Sequence, residues 1–500
     1  MSEGGWIDLA ERRGASGPGR GEVLPVARYT LAAALLFLLF GWLQFLVPGL
    51  IEYDGYFHIT FSRLLGQQGF IDKLPWLHFT IHRDHFRDHH LLWHYLLIPF
   101  TGGDLVLGGK IAVVLFCTAA GLALYHLLRR AAVKEPLAWT AIAFLSSSPF
   151  LYRASMLRVQ SVSLALLLFV FHGCLQRKGF PLLIAALLFV WTYDAFVLLL
   201  IIALFFAIAG VVTGQGEGAW RPLLWVGAGV VLGMVINPYF PDNFNSLLYN
   251  ARRSIFLDLP AMNLGNEWSP YDSWFLVRSS LPAFILLLVT LLVLPLIKGV
   301  RSEEYAGLLL NLFFLVLMMK SRRFAEYWPV FAVLSAALVI GRRLAGRYVL
   351  LLVLLMVPLM RSNIMATAEE ITDSPSIELY QGASRWLAAH SEEGEVIFHA
   401  DWDDFPFLFF CNQKNRYLVG LDPMYMYTFD SAKYLRYREI TRGRVENPAA
   451  VIHREFGCRF IFLDRREHRD FFERLEKDPE AERVYEDDGA YVYAYREGGR

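Results

Sequence analysis

The feature that most limits how this chain can fold is a succession of long apolar runs. They lie near residues 29–49, 107–128, 136–152, 160–176, 180–193, 196–213, 222–239, 279–297, 305–319, 325–341 and 347–360. A helix needs roughly 20 mostly apolar residues to cross a bilayer core, where its backbone must satisfy its own hydrogen bonds. Several runs fall short of that length, and short spans thin the bilayer or shelter behind neighbours. Composition agrees: 55% of the 500 residues are hydrophobic and only 19% charged, against about 25% charged in a soluble chain. The 47 basic and 47 acidic residues cancel, so no net field recruits nucleic acid. The chain reads as a mainly α polytopic membrane protein with about eleven transmembrane helices.

Charge bias orients it. With the tail bearing Arg12, Arg13, Arg20 and Arg28 in the cytoplasm, alternate turns carry Arg129, Arg130 and Lys134, then Arg177 and Lys178, Arg221, Lys298 and Arg301, and Arg342, Arg343 and Arg347. An odd number of spans puts everything after Met360 outside. Residues 1–28 are then a cytoplasmic tail and 29–361 the membrane domain, with a long first outer loop at 50–106. The first run lacks a small-x-small cleavage site and leads straight into Glu52-Tyr53-Asp54, as an uncleaved anchor does. Residues 362–500 alternate expected helices (377–389, 449–456, 469–475) with expected strands (395–399, 416–419, 459–463, 490–495), which predicts a small α/β domain on the outer side. Cys411 and Cys458 fall in it, where a disulfide is permitted. Cys117 and Cys174 fall inside spans.

The first outer loop is too long for a structural turn, and seven of the chain's 13 histidines lie between 58 and 94. Asp54, at the membrane exit, has the character of a base or a ligand; an ordinary interfacial carboxylate is the alternative. On a helix His90 and His94 share a face, with Asp88 near. With Asp54 they form a candidate set for a divalent metal, magnesium or manganese, against the plainer reading of headgroup contact beside Trp76, Trp93 and Tyr95.

Other outer segments hold arginines against the charge bias: Arg153 and Arg158 before the 160–176 run, Arg252 and Arg253 with Glu267 in a later loop, and Arg322 and Arg323 before Tyr327. Arginine forks suit phosphate, so Arg322, Arg323 and Arg158 are candidates for a lipid carrier's phosphate; an Arg323–Glu326 ion pair is the alternative. In the outer domain, Asp401-Trp402-Asp403-Asp404 follows an expected strand, where ligand-facing loops sit. An aromatic face with carboxylates suits a sugar, as a solvated turn also would.

An Asp opening a long first outer loop, a Glu in a later one, an Arg near a late span and a Trp-Asp motif in an outer domain together resemble the GT-C glycosyltransferases. The layout is most similar to oligosaccharyltransferase catalytic subunits, with protein O-mannosyltransferases and aminoarabinose transferases as wider relatives. The resemblance implies a transferase of the bacterial inner membrane that moves a sugar or oligosaccharide from a polyprenyl-phosphate donor to a glycan, lipid or protein acceptor. It assigns Asp54 as general base or metal ligand and Glu267 as the acidic residue near the acceptor. Arg322 or Arg323 would touch the carrier phosphate, and His58, Tyr327, Trp402, Asp403 and Asp404 the sugar or acceptor. Only Trp402-Asp403 match the family's Trp-Trp-Asp-Tyr-Gly, so acceptor choice by an Asn-X-Ser/Thr sequon does not carry over. Where the family has a second acidic motif this chain has Arg158-Val159-Gln160, which implies metal independence or histidine ligands. Two other classes fit the same layout. A flippase of lipid-linked glycans would use polar residues in mid-span such as Asp194 and His172, and an assembly subunit would use neither Asp54 nor Arg322 and Arg323.

Overall fold

The apolar runs are helical in the computed structural model, which describes residues 20–244, 265–374, 376 and 378–497. The tail arginines Arg12 and Arg13, and Arg252 and Arg253, lie outside the described residues. Val26–Gln44, Leu105–Arg130, Asp194–Val212, Ser302–Lys320 and Gly346–Thr372 are each long and apolar enough to cross a membrane. Shorter apolar helices form Pro136–Leu145, Gln160–Leu175, Phe180–Thr192, Arg221–Val235 and Trp328–Gly341, and Leu281–Leu296 is bent 85° from Ser273–Ser279.

The breaks have local causes. The run expected at 136–152 stops at Leu145, because the Ser147 hydroxyl accepts from the Phe150 N–H and caps a separate helix, Ser148–Ala154. Serine at such an N-cap satisfies a donor the helix itself cannot. The first helix ends at Gln44, short of Pro48 and Gly49, and the Gln44 amide donates to the Ser155 carbonyl at 2.6 Å. This ties the base of the first outer loop to the segment carrying Arg158.

The C-terminal domain, called the outer domain after its expected side, holds a five-stranded sheet in the order β2-β1-β3-β5-β4. The strands are β1 Val396–His399, β2 Arg416–Tyr417, β3 Phe460–Asp464, β4 Ala481–Glu486 and β5 Ala490–Tyr495. β1 is parallel to β2 and β3; β5 is antiparallel to β3 and β4. β4 escapes the sequence because Ala-Glu-Arg-Val-Tyr-Glu has too few apolar residues for an alternating pattern, and it lies at the sheet edge, where charges are tolerated. Alternation splits the sheet's two faces. Phe398, Ile461 and Leu463 join Tyr437, Ile452 and Phe471 in a separate core that also takes in Phe79 of the first loop. Ile397, Phe460 and Phe462 join the continuous core that runs through the membrane helices. Cys411 packs against the second core and Cys458 lies in the first, and both are free thiols.

Two contacts clasp the outer domain to the first loop. The β2 edge is extended by Trp76–Phe79: the Tyr417 N–H donates to the Trp76 carbonyl at 2.7 Å, and the Phe79 N–H to the Leu418 carbonyl at 3.0 Å. Helix Phe405–Cys411 packs its phenylalanines on helix Asp54–Gln68, with Phe407 at 4.8 Å from Tyr53 and 4.6 Å from Tyr56 between ring centroids. The loop preceding that phenylalanine helix, Trp402-Asp403, is thereby held over Asp54.

Candidate active site

Helix Asp54–Gln68 starts at the mouth of the membrane domain, so Asp54 sits in its first turn, where the helix dipole favours a carboxylate. The preceding Glu52 takes a left-handed backbone (φ 74°), an unusual state for a residue with a side chain and one found where surrounding structure enforces it. That turn lets Glu52 accept from the Asp54 N–H at 3.1 Å. Its carboxylate also meets Arg158 at 2.6 Å, and Arg158 meets Asp54 Oδ2 at 2.7 Å and Glu267 Oε1. One guanidinium therefore joins three carboxylates from two segments distant from it in the chain, Glu52 with Asp54 and Glu267. Burial raises the Glu52 pKa to about 7 against the opposing pull of Arg158. Burial also acts upward on Glu267, but the attraction of Arg158, Arg153 and Arg323 outweighs it and holds that carboxyl well below the usual range. Asp54 Oδ1 has no partner among the described residues.

These residues line a cavity of about 360 Å³ between the membrane helices, the first loop and the outer domain. Asp54, Glu267, Arg158, Arg323, His58, Asp88, His90, His94, Trp402 and Asp403, all singled out in the sequence, meet there. Arg323 lies over the Trp268 ring at 4.6 Å, with Nε at 3.6 Å from Glu267, and its Nη groups have no partner among the described residues. Glu326 does not pair with it; that carboxylate is 2.5 Å from the buried Arg153.

Three expected residues lie elsewhere. Arg322 rests on the Tyr271 ring at 5.0 Å and donates to the Pro270 carbonyl, outside the cavity lining. Tyr327 is buried among the membrane helices, its hydroxyl 2.8 Å from Ser163 Oγ. Asp404 points into the outer domain, where it accepts from the Tyr380 hydroxyl at 3.0 Å and the Asp401 N–H at 3.1 Å. Alternation around a short helical turn separates it from Asp403. Burial, with Asp401 and Asp404 close by, pushes Asp403 up to about 9, so it faces the cavity protonated at neutral pH.

The metal candidates do not assemble either. Asp88 spends one oxygen on the His90 N–H and the other on His94, and the second nitrogen of His94 is taken by His58. Around Asp54 the position between the carboxylates is filled by Arg158. Among the described residues, the group whose ligand atoms lie within 4.8 Å of one another is Asp401, Glu467 and His468, in the outer domain.

Sequence reading assigned no role to Glu52, Trp268 or Tyr425, which line the cavity together with Leu421. The positive φ of Leu421 (66°) and Glu52 marks both loops, a signal visible only in the backbone. Asp194 lines the cavity too, at the break between helices Phe180–Thr192 and Val197–Val212. It is a wall residue of this site rather than a carboxylate in mid-span. His172 lies apart, its ring 5.5 Å from that of His126.

No protein-family model matches the sequence, and no curated protein does. Solved structures do match. The archaeal oligosaccharyltransferase AglB from Archaeoglobus fulgidus, in complex with an inhibitory peptide and a dolichol-phosphate, superposes with a TM-score of 0.63 at 12% identity, covering 95% of this chain and 75% of that one. ArnT from Cupriavidus metallidurans bound to undecaprenyl phosphate gives 0.61 at 13% identity, covering 94% and 98%. The chain shares the fold of these two solved structures. A third structure, the arabinofuranosyltransferase AftD from mycobacteria, gives 0.58 at 11% identity, covering 95% of this chain and 40% of that one. At these identities the likeness lies in the fold.

Proposed function

We propose that the chain is a membrane glycosyltransferase that moves a sugar from a polyprenyl-phosphate donor to an acceptor on the outer face of the membrane. The observation that carries this reading is the pairing, in one cavity, of a carboxylate with an oxygen free among the described residues (Asp54) and an arginine whose Nη groups are likewise free (Arg323). Two of the solved structures with this fold were obtained with dolichol-phosphate and undecaprenyl phosphate bound.

In this reading Arg323 holds the donor phosphate, since Arg158 is already committed to three carboxylates. The acceptor hydroxyl attacks the anomeric carbon from the face opposite the phosphate. The new C–O bond forms as the sugar–phosphate C–O bond breaks, Asp54 takes the hydroxyl proton, and polyprenyl phosphate leaves with its bonding electrons. The configuration inverts. Arg158 orients Asp54, while Glu267 and Asp403 line the acceptor side.

The residues present do not fit a resident divalent ion at Asp54, because the Arg158 guanidinium supplies the positive charge at that position. The mechanism therefore runs without one. The test is transfer from radiolabelled polyprenyl-phosphate sugars in membranes holding wild type or Asp54→Asn at equal abundance. Loss of a general base lowers the rate by roughly 10²–10⁴. Equal transfer by the two proteins would remove Asp54 from the chemistry.

A further inference from the structure

One turn beyond Asp54 on the same helix face, His58 begins a buried chain of hydrogen bonds that the proposed chemistry does not use. His58 Nδ1 is 2.8 Å from His94 Nε2, and His94 Nδ1 is 2.6 Å from Asp88 Oδ2. The side chains of His94 and Asp88 are only 1% and 2% exposed. The second Asp88 oxygen accepts from the His90 N–H at 2.9 Å, so the carboxylate cannot turn freely.

With both rings in their neutral forms, the direction of every bond in this chain follows from its end. A carboxylate only accepts, so His94 Nδ1 carries the proton and His94 Nε2 offers a lone pair. His58 Nδ1 must then donate to it. Burial, reinforced by the neighbouring His94 and Arg158, holds the His58 pKa well below the usual imidazole value, so the ring is neutral and its Nε2 carries no proton. His58 lines the cavity, and its Nε2 is neither sealed off nor partnered among the described residues. His90 is set in the same sense, since its Nδ1 lies 3.2 Å from the Thr192 carbonyl, which likewise only accepts. This wall of the cavity thus presents imidazole lone pairs, backed by the Asp88 carboxylate. It repels phosphate and receives hydrogen-bond donors, opposite in character to the Arg323 wall.

We propose that His58 Nε2 is a fixed hydrogen-bond acceptor for a hydroxyl of the transferred sugar, and that Asp88, which does not touch the substrate, sets this polarity through His94. The assignment rests on the glycosyltransferase reading above and adds the orientation of the donor: sugar toward His58 and His90, phosphate toward Arg323. His58 is a sugar-binding residue here, and His94 and Asp88 are positioning residues.

Asp88→Asn tests it with little change of shape. The carbonyl oxygen of the introduced amide keeps the His90 N–H, which turns the amide nitrogen toward His94 Nδ1. That nitrogen donates, so His94 Nε2 becomes protonated, His58 Nδ1 accepts, and His58 Nε2 acquires a hydrogen. A donor then faces a donor. Two measurements read the result: kcat/KM in purified full-length protein with polyprenyl-phosphate sugars and their monodeoxy analogues, and 15N shifts of labelled histidine. Asp88→Asn should lower kcat/KM roughly 10- to 100-fold with the intact sugar, the range for leaving a buried polar group mispaired. With one monodeoxy analogue the two proteins should converge, because the hydroxyl that reports the polarity is gone. A penalty that is the same for every analogue would mark a structural role and overturn the proposal. So would a wild-type spectrum with the proton on His58 Nε2, a result that needs no variant to fold. Wild-type protein that transfers no sugar from any donor would instead overturn the glycosyltransferase reading, and the assignment with it.

Discussion

Arg158→Ala is the perturbation that most directly tests the logic of the site. The wild-type guanidinium is 8% exposed and meets Glu52 and Asp54 at 2.6 and 2.7 Å, with Glu267 as a third partner. At an effective dielectric constant of about 20, each such contact is worth roughly 6 kcal/mol of gross attraction, most of which offsets desolvation. Removing one partner of a buried pair costs about 3–5 kcal/mol, because the other charge is stranded. The carboxylates here are 18%, 35% and 29% exposed, so water screens them and the low end, about 3 kcal/mol, applies at pH 8. The loss should depend on pH with a definite sign. In wild type, Glu267 is held below its unfolded value, so its contribution is present above that value and is lost as pH falls. In the variant the stranded carboxylates are raised above their unfolded values, which costs stability as pH rises through their folded values. The deficit should therefore be largest at pH 8 and shrink toward pH 5. Thermal unfolding of the purified protein in detergent across that range reads it directly. Manganese should restore the variant, since an ion bound only to the folded state adds about 2.7 kcal/mol at 100 times its Kd. It should leave wild type unmoved. A wild-type midpoint that rises with manganese as much as the variant's, or a variant as stable as wild type at pH 8, would refute the argument that Arg158 stands where a cation would.

The two neighbouring arginines should separate cleanly. Arg323→Ala should raise the KM for a polyprenyl-phosphate donor about 10- to 100-fold, the worth of a hydrogen bond to a charged group, whereas Arg322→Ala should stay close to wild type in the same assay. Asp403 is raised to about 9, so its contribution to stability is present at low pH and lost as pH rises through that value. Asp403→Asn should consequently gain stability relative to wild type between pH 6 and 9 in thermal unfolding; a constant difference across that range would contradict a protonated Asp403.

Much of the cavity was legible because its parts carry local signals. Asp54 stands out at the junction of an apolar run and a polar loop, and Trp402-Asp403 at a strand end. Tyr327 and Arg322 were misleading for the same reason. Arg322 precedes Arg323 directly and Tyr327 follows it by four residues, but the turn Arg322–Glu326 and helix Trp328–Ala336 aim nearby side chains in different directions. Adjacency in the chain is not adjacency in the site.

The sequence by itself determined the membrane class, the positions of the apolar helices, and the α/β character of the outer domain. These depend on hydropathy and period over stretches of five to twenty residues, where each residue's environment follows from its neighbours in the chain. Only the tertiary structure decided that Arg158 is neutralised by Glu52, Asp54 and Glu267, that the β2 edge is completed by Trp76–Phe79, and that Asp88 reaches His58 through His94. A charge or an imidazole carries no local mark of its partner. Its energy depends on which distant groups packing brings within hydrogen-bond reach and how much water that packing leaves between them.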